Sequence, residues 1–197
     1  MPQLAPLDGR LARSARTRHA VVDALLDLLN EGDLRPTAAR IAERAGVSLR
    51  LVFHHFDDLE TIYSELADRQ AERVKPLTKP IDVALPFARR VELFSAQRGR
   101  VLETLSPVRR SAVLMEPFQS ALAKRLKHVR DLMRAAAIAA FRPELTRIAA
   151  DERRTKIAAL DVMTSWVAWE QMRRHQRLSE TEAREVMATS IRALLNS

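Results

Sequence analysis

Apolar residues recur along most of this chain with the spacing of one face of an α-helix. The clearest stripe lies in residues 17–30, where the apolar positions are Val21, Ala24, Leu25, Leu28 and Leu29. Runs of β-branched residues are scarce, and Ala, Leu, Arg and Glu dominate. The pattern therefore predicts an all-α chain with a first helix over about 17–30, which Gly32 would end.

Residues 37–56, TAARIAERAGVSLRLVFHHF, predict two short helices joined by a tight turn. Thr37 would cap the first helix and Ser48 the second. Gly46 lies where the first helix must stop and the chain must reverse. A left-handed backbone at this position costs a non-glycine residue about 1–2 kcal/mol, and glycine avoids that cost. Val52 or Leu51 would face inward with Phe56. This is the helix-turn-helix layout, in which the second helix enters a DNA major groove.

The longer run 32–63, GDLRPTAARIAERAGVSLRLVFHHFDDLETIY, resembles the DNA-binding domain of the TetR (tetracycline-repressor-like) family. The matching features are Pro36-Thr37, Ile41-Ala42, AGVS at 45–48, VFHHF at 52–56 and the acidic start of the next helix. The resemblance implies an N-terminal three-helix helix-turn-helix DNA-binding domain, followed by a helical ligand-binding and dimerisation domain. Leu59 and Phe53 replace a lysine and a tyrosine common in the family, so a phosphate contact from either position is not carried over.

Side chains on the outer face of the second short helix are the candidate DNA readers. Arg50 leads them, because arginine can donate two hydrogen bonds to guanine O6 and N7. Leu49 or Leu51 could contact a thymine methyl group, while Thr37, Ser48 and His55 are candidate phosphate contacts. The predicted DNA-contacting residues are Arg16, Arg18, Thr37, Ser48, Leu49, Arg50, Phe53, His54 and His55.

The net charge of +8 suits a polyanionic partner, but it is not concentrated in the helix-turn-helix. Residues 1–56 hold eight arginines and six acidic residues, a net of +2, which leaves +6 for the rest of the chain. The local feature is a run without acids from residue 9 to 22, which contains Arg10, Arg13, Arg16 and Arg18. This run is either a solvated tail or a basic arm that lies along phosphates.

Asp57 and Glu60 predict a capping box that opens a helix over about 58–74. Pro76, Pro80 and Pro86 follow and mark a boundary. We therefore predict two domains. Residues 1–74 would form the N-terminal arm and DNA-binding domain with a connecting helix, and residues 75–197 the ligand-binding and dimerisation domain.

The second domain is predicted to contain a helix over 87–98 stopped by Gly99, a long helix over 117–141, a seven-turn helix over 151–176 and a final helix over 181–195. The last two resemble the dimerisation pair of the TetR family, although an ordinary monomer core would show the same spacing. The predicted interface residues are Ile157, Leu160, Thr164, Val167, Ala168, Ala183, Val186, Met187, Ile191 and Leu194.

The resemblance also implies a small-molecule pocket in the second domain. Its candidate lining is Phe94, Leu102, Met115, Phe118, Met133, Phe141, Met163 and Trp166, each of which could equally be plain core. Expected partners are therefore a palindromic double-stranded DNA operator, a second copy of the chain and an unidentified small-molecule effector.

Catalysis, cofactors and metals are not expected. The sequence has no HExxH, nucleophile elbow, P-loop or GxGxxG, it has no cysteine, and only His54 and His55 among its five histidines are adjacent. No apolar segment is long enough for a signal peptide or a membrane span, so we expect a cytoplasmic protein without a membrane partner. The alternatives are a basic DNA-binding protein with little sequence preference and, less favoured, a small-molecule enzyme.

Overall fold

The structure is a computed structural model that describes the backbone of residues 5–196 and the side chains of residue 9 and residues 11–196. Within this range it is helical and has no strand, which confirms the all-α fold class. The helices are α1 (Ala5–Asn30), α2 (Ala38–Ala45), α3 (Leu49–His55), α4 (Leu59–Val74), α5 (Phe87–Met115), α6 (Ser120–Ala140), α7 (Arg142–Arg147), α8 (Ala150–Met163), α9 (Trp166–Glu170) and α10 (Glu180–Leu195).

The described chain divides into two compact units. The first comprises residues 5–72 together with 107–112, and the second comprises 73–106 and 113–196. The stretch 107–112, which the sequence assigned to the second domain, therefore belongs to the first unit. Helix α5 contributes residues to both units.

The core of the first unit is formed by α1, α2, α3 and α4. The apolar stripe predicted for the first helix is buried, and it packs with Ile41, Val52, Phe56, Ile62 and Leu66. Helix α1 already includes Ala5, where the described backbone starts, so it extends well before Thr17. A single glycine inside a helix costs only about 1 kcal/mol, and Gly9 therefore does not interrupt it.

Helix α4 has a different cap from the one predicted. Asp58, not Asp57, accepts from the backbone N–H of Thr61 at 2.7 Å and from its hydroxyl at 2.8 Å. These two hydrogen bonds lower the pKa of Asp58. The predicted pairing of Asp57 with Glu60 is therefore wrong by one residue.

The core of the second unit lies between helices α5 to α10. Its buried members are Val91, Phe94, Leu102, Ala137, Ala140, Phe141, Leu145, Leu160, Trp169, Met172, Ala183, Met187, Ala188, Ile191 and Leu195.

Helix α5 runs through Gly99, where the sequence predicted that the helix would stop, and also through Pro107. A Cβ atom at Gly99 would lie 2.7 Å from Cγ of Arg184, so this glycine allows close approach of α10 and does not end a helix. Proline inside a helix costs about 3 kcal/mol. Packing of buried residues on both sides, Leu102 and Ser111, opposes that cost.

The predicted helix over 151–176 is broken at Thr164 and Ser165. The Thr164 hydroxyl donates to the carbonyl of Leu160 at 2.8 Å, and Ser165 caps α9 by accepting from the backbone N–H of Ala168 at 3.2 Å. Side chains that make hydrogen bonds to nearby backbone groups in this way compete with the backbone hydrogen bonds that would continue the helix. The break predicted before the last helix is confirmed, with a capping box between Ser179 and Glu182.

Candidate nucleic-acid interface

The turn between α2 and α3 is held by the residues that the sequence predicted. Thr37 accepts from the backbone N–H of Arg40 at 3.3 Å, and Ser48 accepts from that of Leu51 at 3.1 Å. Gly46 has φ 68° and ψ 30°, the left-handed conformation that favours glycine. Val47 packs against the first core. The caps and the turn therefore set the direction in which α3 leaves α2.

Helix α3 has one buried and one exposed face. Val52 and Phe56 are buried in the first core. Leu49 and Phe53 are 43% and 49% exposed, and Arg50 and His54 are also exposed. A helix that is anchored on one side and presents an arginine and two apolar side chains on the other can reach into a DNA groove.

The arginines of α2 are balanced within the first unit. Arg44 donates to both carboxylate oxygens of Glu31, at 2.7 and 2.5 Å, and this hydrogen bonding lowers the pKa of Glu31. Arg40 lies 3.0 Å from the carboxylate of Asp33. The positive charges of Arg40 and Arg44 on α2 are therefore already compensated by acidic residues. Arg50 on α3 is accordingly the stronger candidate for a contact with DNA.

Arg18 was predicted to contact DNA, and the structure shows that it has partners within the first unit. Its guanidinium donates to the carbonyl of His55 and to the carboxylate of Glu65, and it lies 4.3 Å from the centre of the Phe56 ring. A phosphate contact from Arg18 would compete with these three internal partners. Arg18 instead links α1 to α4 and to the end of α3.

Arg69 extends this link and was not singled out from the sequence. It donates to the second carboxylate oxygen of Glu65 at 2.8 Å and to Asp23 on α1 at 3.3 Å. Burial raises the pKa of Glu65, but the hydrogen bonds from Arg69 and Arg18 outweigh it, so the net shift is downward. The spacing of Glu65 and Arg69 was a visible signal for their pairing, whereas the contact with Arg18 depends on the fold.

The other predicted phosphate contacts differ in exposure. Arg16, Thr37 and Ser48 are exposed, and the side chain of Arg10 lies outside the described residues. His55 is half-buried, with Nδ1 3.5 Å from the hydroxyl of Ser14. Burial, followed by the charges of His54 and Arg18, lowers the pKa of His55, so its ring is neutral at neutral pH.

Half of the predicted dimer residues are buried inside a single chain. Leu160, Thr164, Ala183, Met187 and Ile191 have almost no exposed surface within a single chain, so they would add little buried area to a contact with a second copy. Ile157, Ala168 and Leu194 are half-buried. Val167 is 70% exposed and Val186 is also exposed, and the neighbouring Val162 is 66% exposed, although the sequence did not single it out.

The candidate pocket residues differ in how far they are buried. Phe94, Leu102 and Phe141 are part of the second core, and Met133 and Trp166 pack against it. Met115 and Met163 are half-buried. Phe118 is 81% exposed and lies in the segment between α5 and α6.

Among the residues that the structure describes, no group of three or more histidine, aspartate or glutamate side chains could hold a metal ion. No helix within residues 5–196 is both long and apolar enough to cross a membrane.

Three solved structures share this fold over nearly the whole chain. A transcriptional regulator from Rhodococcus sp. Rha1 is 18% identical, with a TM-score of 0.68 over 91% of this chain and 96% of its own. A protein from Mesorhizobium loti MAFF303099, assigned to the TetR family of transcriptional regulators, is 21% identical, with a TM-score of 0.65 over 93% and 97%. A protein from Pseudomonas aeruginosa PAO1, assigned as a transcriptional regulator, is 17% identical, with a TM-score of 0.63 over 95% and 92%.

No protein-family model and no curated protein matches the sequence. The three structures show the fold, and at that level the resemblance to the TetR family is confirmed.

Proposed function

We propose that this chain, which has the fold of a TetR-family transcriptional regulator, binds a palindromic DNA operator as a homodimer and is released from it by a small-molecule effector. The observation that carries the proposal is the two-sided α3 helix. Val52 and Phe56 anchor it in the first core, while Leu49, Arg50 and Phe53 remain exposed.

Arg50 is the base reader in this proposal. Its guanidinium can donate two hydrogen bonds to guanine, and such a pair discriminates against other bases by about 1–3 kcal/mol. Leu49 and Phe53 offer apolar surface to thymine methyl groups. Thr37 and Ser48 use an oxygen lone pair for capping, which leaves each hydroxyl hydrogen free to donate to a phosphate.

Dimerisation would place two α3 helices in successive major grooves, about 34–36 Å apart, which requires a near-palindromic operator. The exposed apolar side chains of Val162, Val167 and Val186 support a surface for a second copy. An effector bound in the second unit would release the DNA only if it has a higher affinity for the dimer whose α3 spacing does not match the grooves.

The DNA assignment is tested by selecting binding sites from random duplex DNA with the wild type and with Arg50→Ala. We expect the wild type to select an inverted repeat, with roughly 10³-fold or greater preference over random DNA at fixed salt. Arg50→Ala should lose the preference at one guanine in each half-site. Lys124→Ala is the control, because it removes the same charge from an exposed position on α6. An unchanged preference in Arg50→Ala would refute its role.

Steep salt dependence without sequence preference in the wild type would instead support the alternative of a basic DNA-binding protein.

The dimer is tested by sedimentation of Val167→Glu. The substitution removes apolar surface and introduces a charge that would be buried at the interface. It should therefore produce monomers and lower the affinity for the inverted repeat. Leu132→Glu is the matched control, since Leu132 is also exposed but lies on α6. A wild type that sediments as a monomer, or a dimer insensitive to Val167→Glu, would contradict this surface.

A further inference from the structure

Helix α5 buries two arginines, and the first of them has a carboxylate partner. Both carboxylate oxygens of Glu144 accept from Arg90, one of them at 2.8 Å. Arg90 also donates to the carbonyl of Ala140 at 2.7 Å and to that of Leu85 at 3.0 Å. The charge of Arg90 is therefore neutralised by an acid, and its N–H groups make four hydrogen bonds.

Arg98, two turns further along α5, is also buried, with 6% of its surface exposed. It donates to the carbonyl of Thr164 at 3.1 Å and to that of Met133 at 2.6 Å, and its guanidinium lies 4.8 Å from the centre of the Phe94 ring. These groups offer dipoles and a ring face but no negative charge.

No carboxylate among the described residues pairs with Arg98. Asp161 is close enough to favour its charged form, but the Asp161 carboxylate lies 3.4 Å from Arg134. Burial lowers the pKa of Arg98 to about 10, so the side chain is still a cation at neutral pH. A buried cation without an anion is costly, and it is a site that an external anion can complete.

Ser95 provides a second, independent observation. It precedes Arg98 by three residues, so the two side chains lie on the same face of α5. Ser95 is only 3% exposed, and its hydroxyl oxygen has no hydrogen-bond partner. Buried hydroxyl groups are nearly always hydrogen-bonded, so an unpartnered hydroxyl on the same helix face as a guanidinium without a carboxylate indicates a missing polar partner.

We propose that Arg98 and Ser95 bind the anionic end of the effector, and that the effector is a small molecule with one carboxylate and an apolar body. The inference rests on the proposed effector function and specifies its chemistry. The guanidinium has five N–H donors, of which two make the bonds described above, so donors remain for a carboxylate. The Ser95 hydroxyl would donate to the same carboxylate.

A carboxylate fits this site better than a phosphate. One arginine balances one negative charge, whereas a doubly charged phosphate would leave an excess negative charge in a buried site. The Phe94 ring lies 4.8 Å from the Arg98 guanidinium, and Met163 and Trp166 lie within two residues of Thr164, whose carbonyl accepts from Arg98. Phe94, Met163 and Trp166 were among the residues expected to line a pocket.

The competing explanation is that Arg98 only satisfies the carbonyl of Thr164 at the break between α8 and α9. Thermal unfolding with matched probe pairs separates the two. The pairs are octanoate with octanamide, 4-phenylbutyrate with 4-phenylbutanamide, and indole-3-propionate with its amide. We expect at least one acid to raise the Tm and to bind roughly tenfold or more tightly than its amide. If acid and amide behave alike in every pair, the proposal is overturned.

Two variants test the residues. Arg98→Met should abolish the difference between acid and amide. Because that variant could fail to fold, Ser95→Asp provides a second test: it supplies a carboxylate next to Arg98, so it should raise the Tm without ligand and abolish the response to the acids. Ser64→Asp on α4 is the control, because Ser64 is exposed and the same charge is added. A full response to the acids in Ser95→Asp would refute the site.

These measurements use no DNA, so they can fail separately from the proposed function. Acid binding that leaves affinity for the inverted repeat unchanged would support the anion site and contradict effector release. Release of the repeat by the neutral amides as well as by the acids would support effector release and overturn the anion site.

Discussion

The guanidinium of Arg18 lies 2.5 Å from the carboxylate of Glu65 and also donates to the carbonyl of His55, the last residue of α3. The carbonyls at the end of a helix carry partial negative charge and lack partners within the helix. One side chain of α1 therefore holds the C-terminal end of the proposed recognition helix against α4. We infer that Arg18 is a positioning residue for α3.

Arg18→Met should weaken both stability and sequence preference. Loss of the charged hydrogen bonds should lower the free energy of unfolding by about 1–2 kcal/mol, since the pair is only partly buried. A double-mutant cycle with Glu65→Gln, measured by urea unfolding, should give a positive coupling energy. Preference for the inverted repeat over random duplex should fall more than binding to random duplex.

The control for this cycle is the Arg44–Glu31 pair of the same unit, in which Arg44 donates to both carboxylate oxygens but the carboxylate is more exposed, 55% against 25% for Glu65. Its coupling energy should be smaller than that of Arg18 with Glu65. Equal coupling in the two cycles, or a lower stability of Arg18→Met with unchanged sequence preference, would show that Arg18 has no positioning role.

Gly46→Ala should destabilise the first unit, because its φ of 68° is unfavourable for a residue with a Cβ atom. The expected cost is about 1–2 kcal/mol in the free energy of unfolding. Gly9→Ala is a control with the opposite sign: Gly9 lies inside α1, and a Cβ there would meet nothing within 4 Å. That change should be neutral or stabilise by up to about 1 kcal/mol. Equal effects would mean that the turn does not require glycine.

Gly99→Ala should destabilise the second unit, because the new methyl group would lie 2.7 Å from Cγ of Arg184 and 3.1 Å from the Trp169 ring. Overpacking of this kind costs about 1–3 kcal/mol. Arg184→Ala in the same chain should recover part of the loss, since it removes the nearest atoms. The check is urea unfolding of both single variants and the double variant, and additive effects would argue against the predicted clash.

Glu144→Gln should make the protein less stable at neutral pH and less sensitive to acid. Burial alone would raise the pKa of Glu144, but the hydrogen bond from Arg90 outweighs it, so the folded pKa lies below the usual 4.5. The stabilisation is therefore fully present above pH 4.5 and is lost as the pH falls through the lower folded value. Breaking this buried pair should lower the free energy of unfolding by about 3–5 kcal/mol at neutral pH.

The measurement for this prediction is urea unfolding at neutral pH and at about pH 5 and 3.5, where the difference between wild type and Glu144→Gln should narrow only at the lowest value. Glu92→Gln is the control for the loss of an ion pair, because the Arg89–Glu92 pair on α5 is exposed. A difference that is constant across this range would contradict a shifted pKa at Glu144.

Much of the first unit followed from the sequence alone. The buried stripe of α1, the caps Thr37 and Ser48 and the left-handed Gly46 each depend on residues within a few positions of one another. Hydrogen bonds to neighbouring backbone groups, glycine conformation and helical periodicity are local properties, so the residues that determine them can be recognised without the fold.

Only the tertiary structure distinguished Arg18 from Arg50, because the two differ in the partners that folding brings to them and not in their chemistry. The same holds for the continuity of α5 through Gly99, where Arg184 of α10 occupies the space a side chain would need. Periodicity showed that the last helices bury one face, but not whether the same chain or a second copy covers it. That choice depends on contacts between residues far apart in the sequence, which local spacing does not determine.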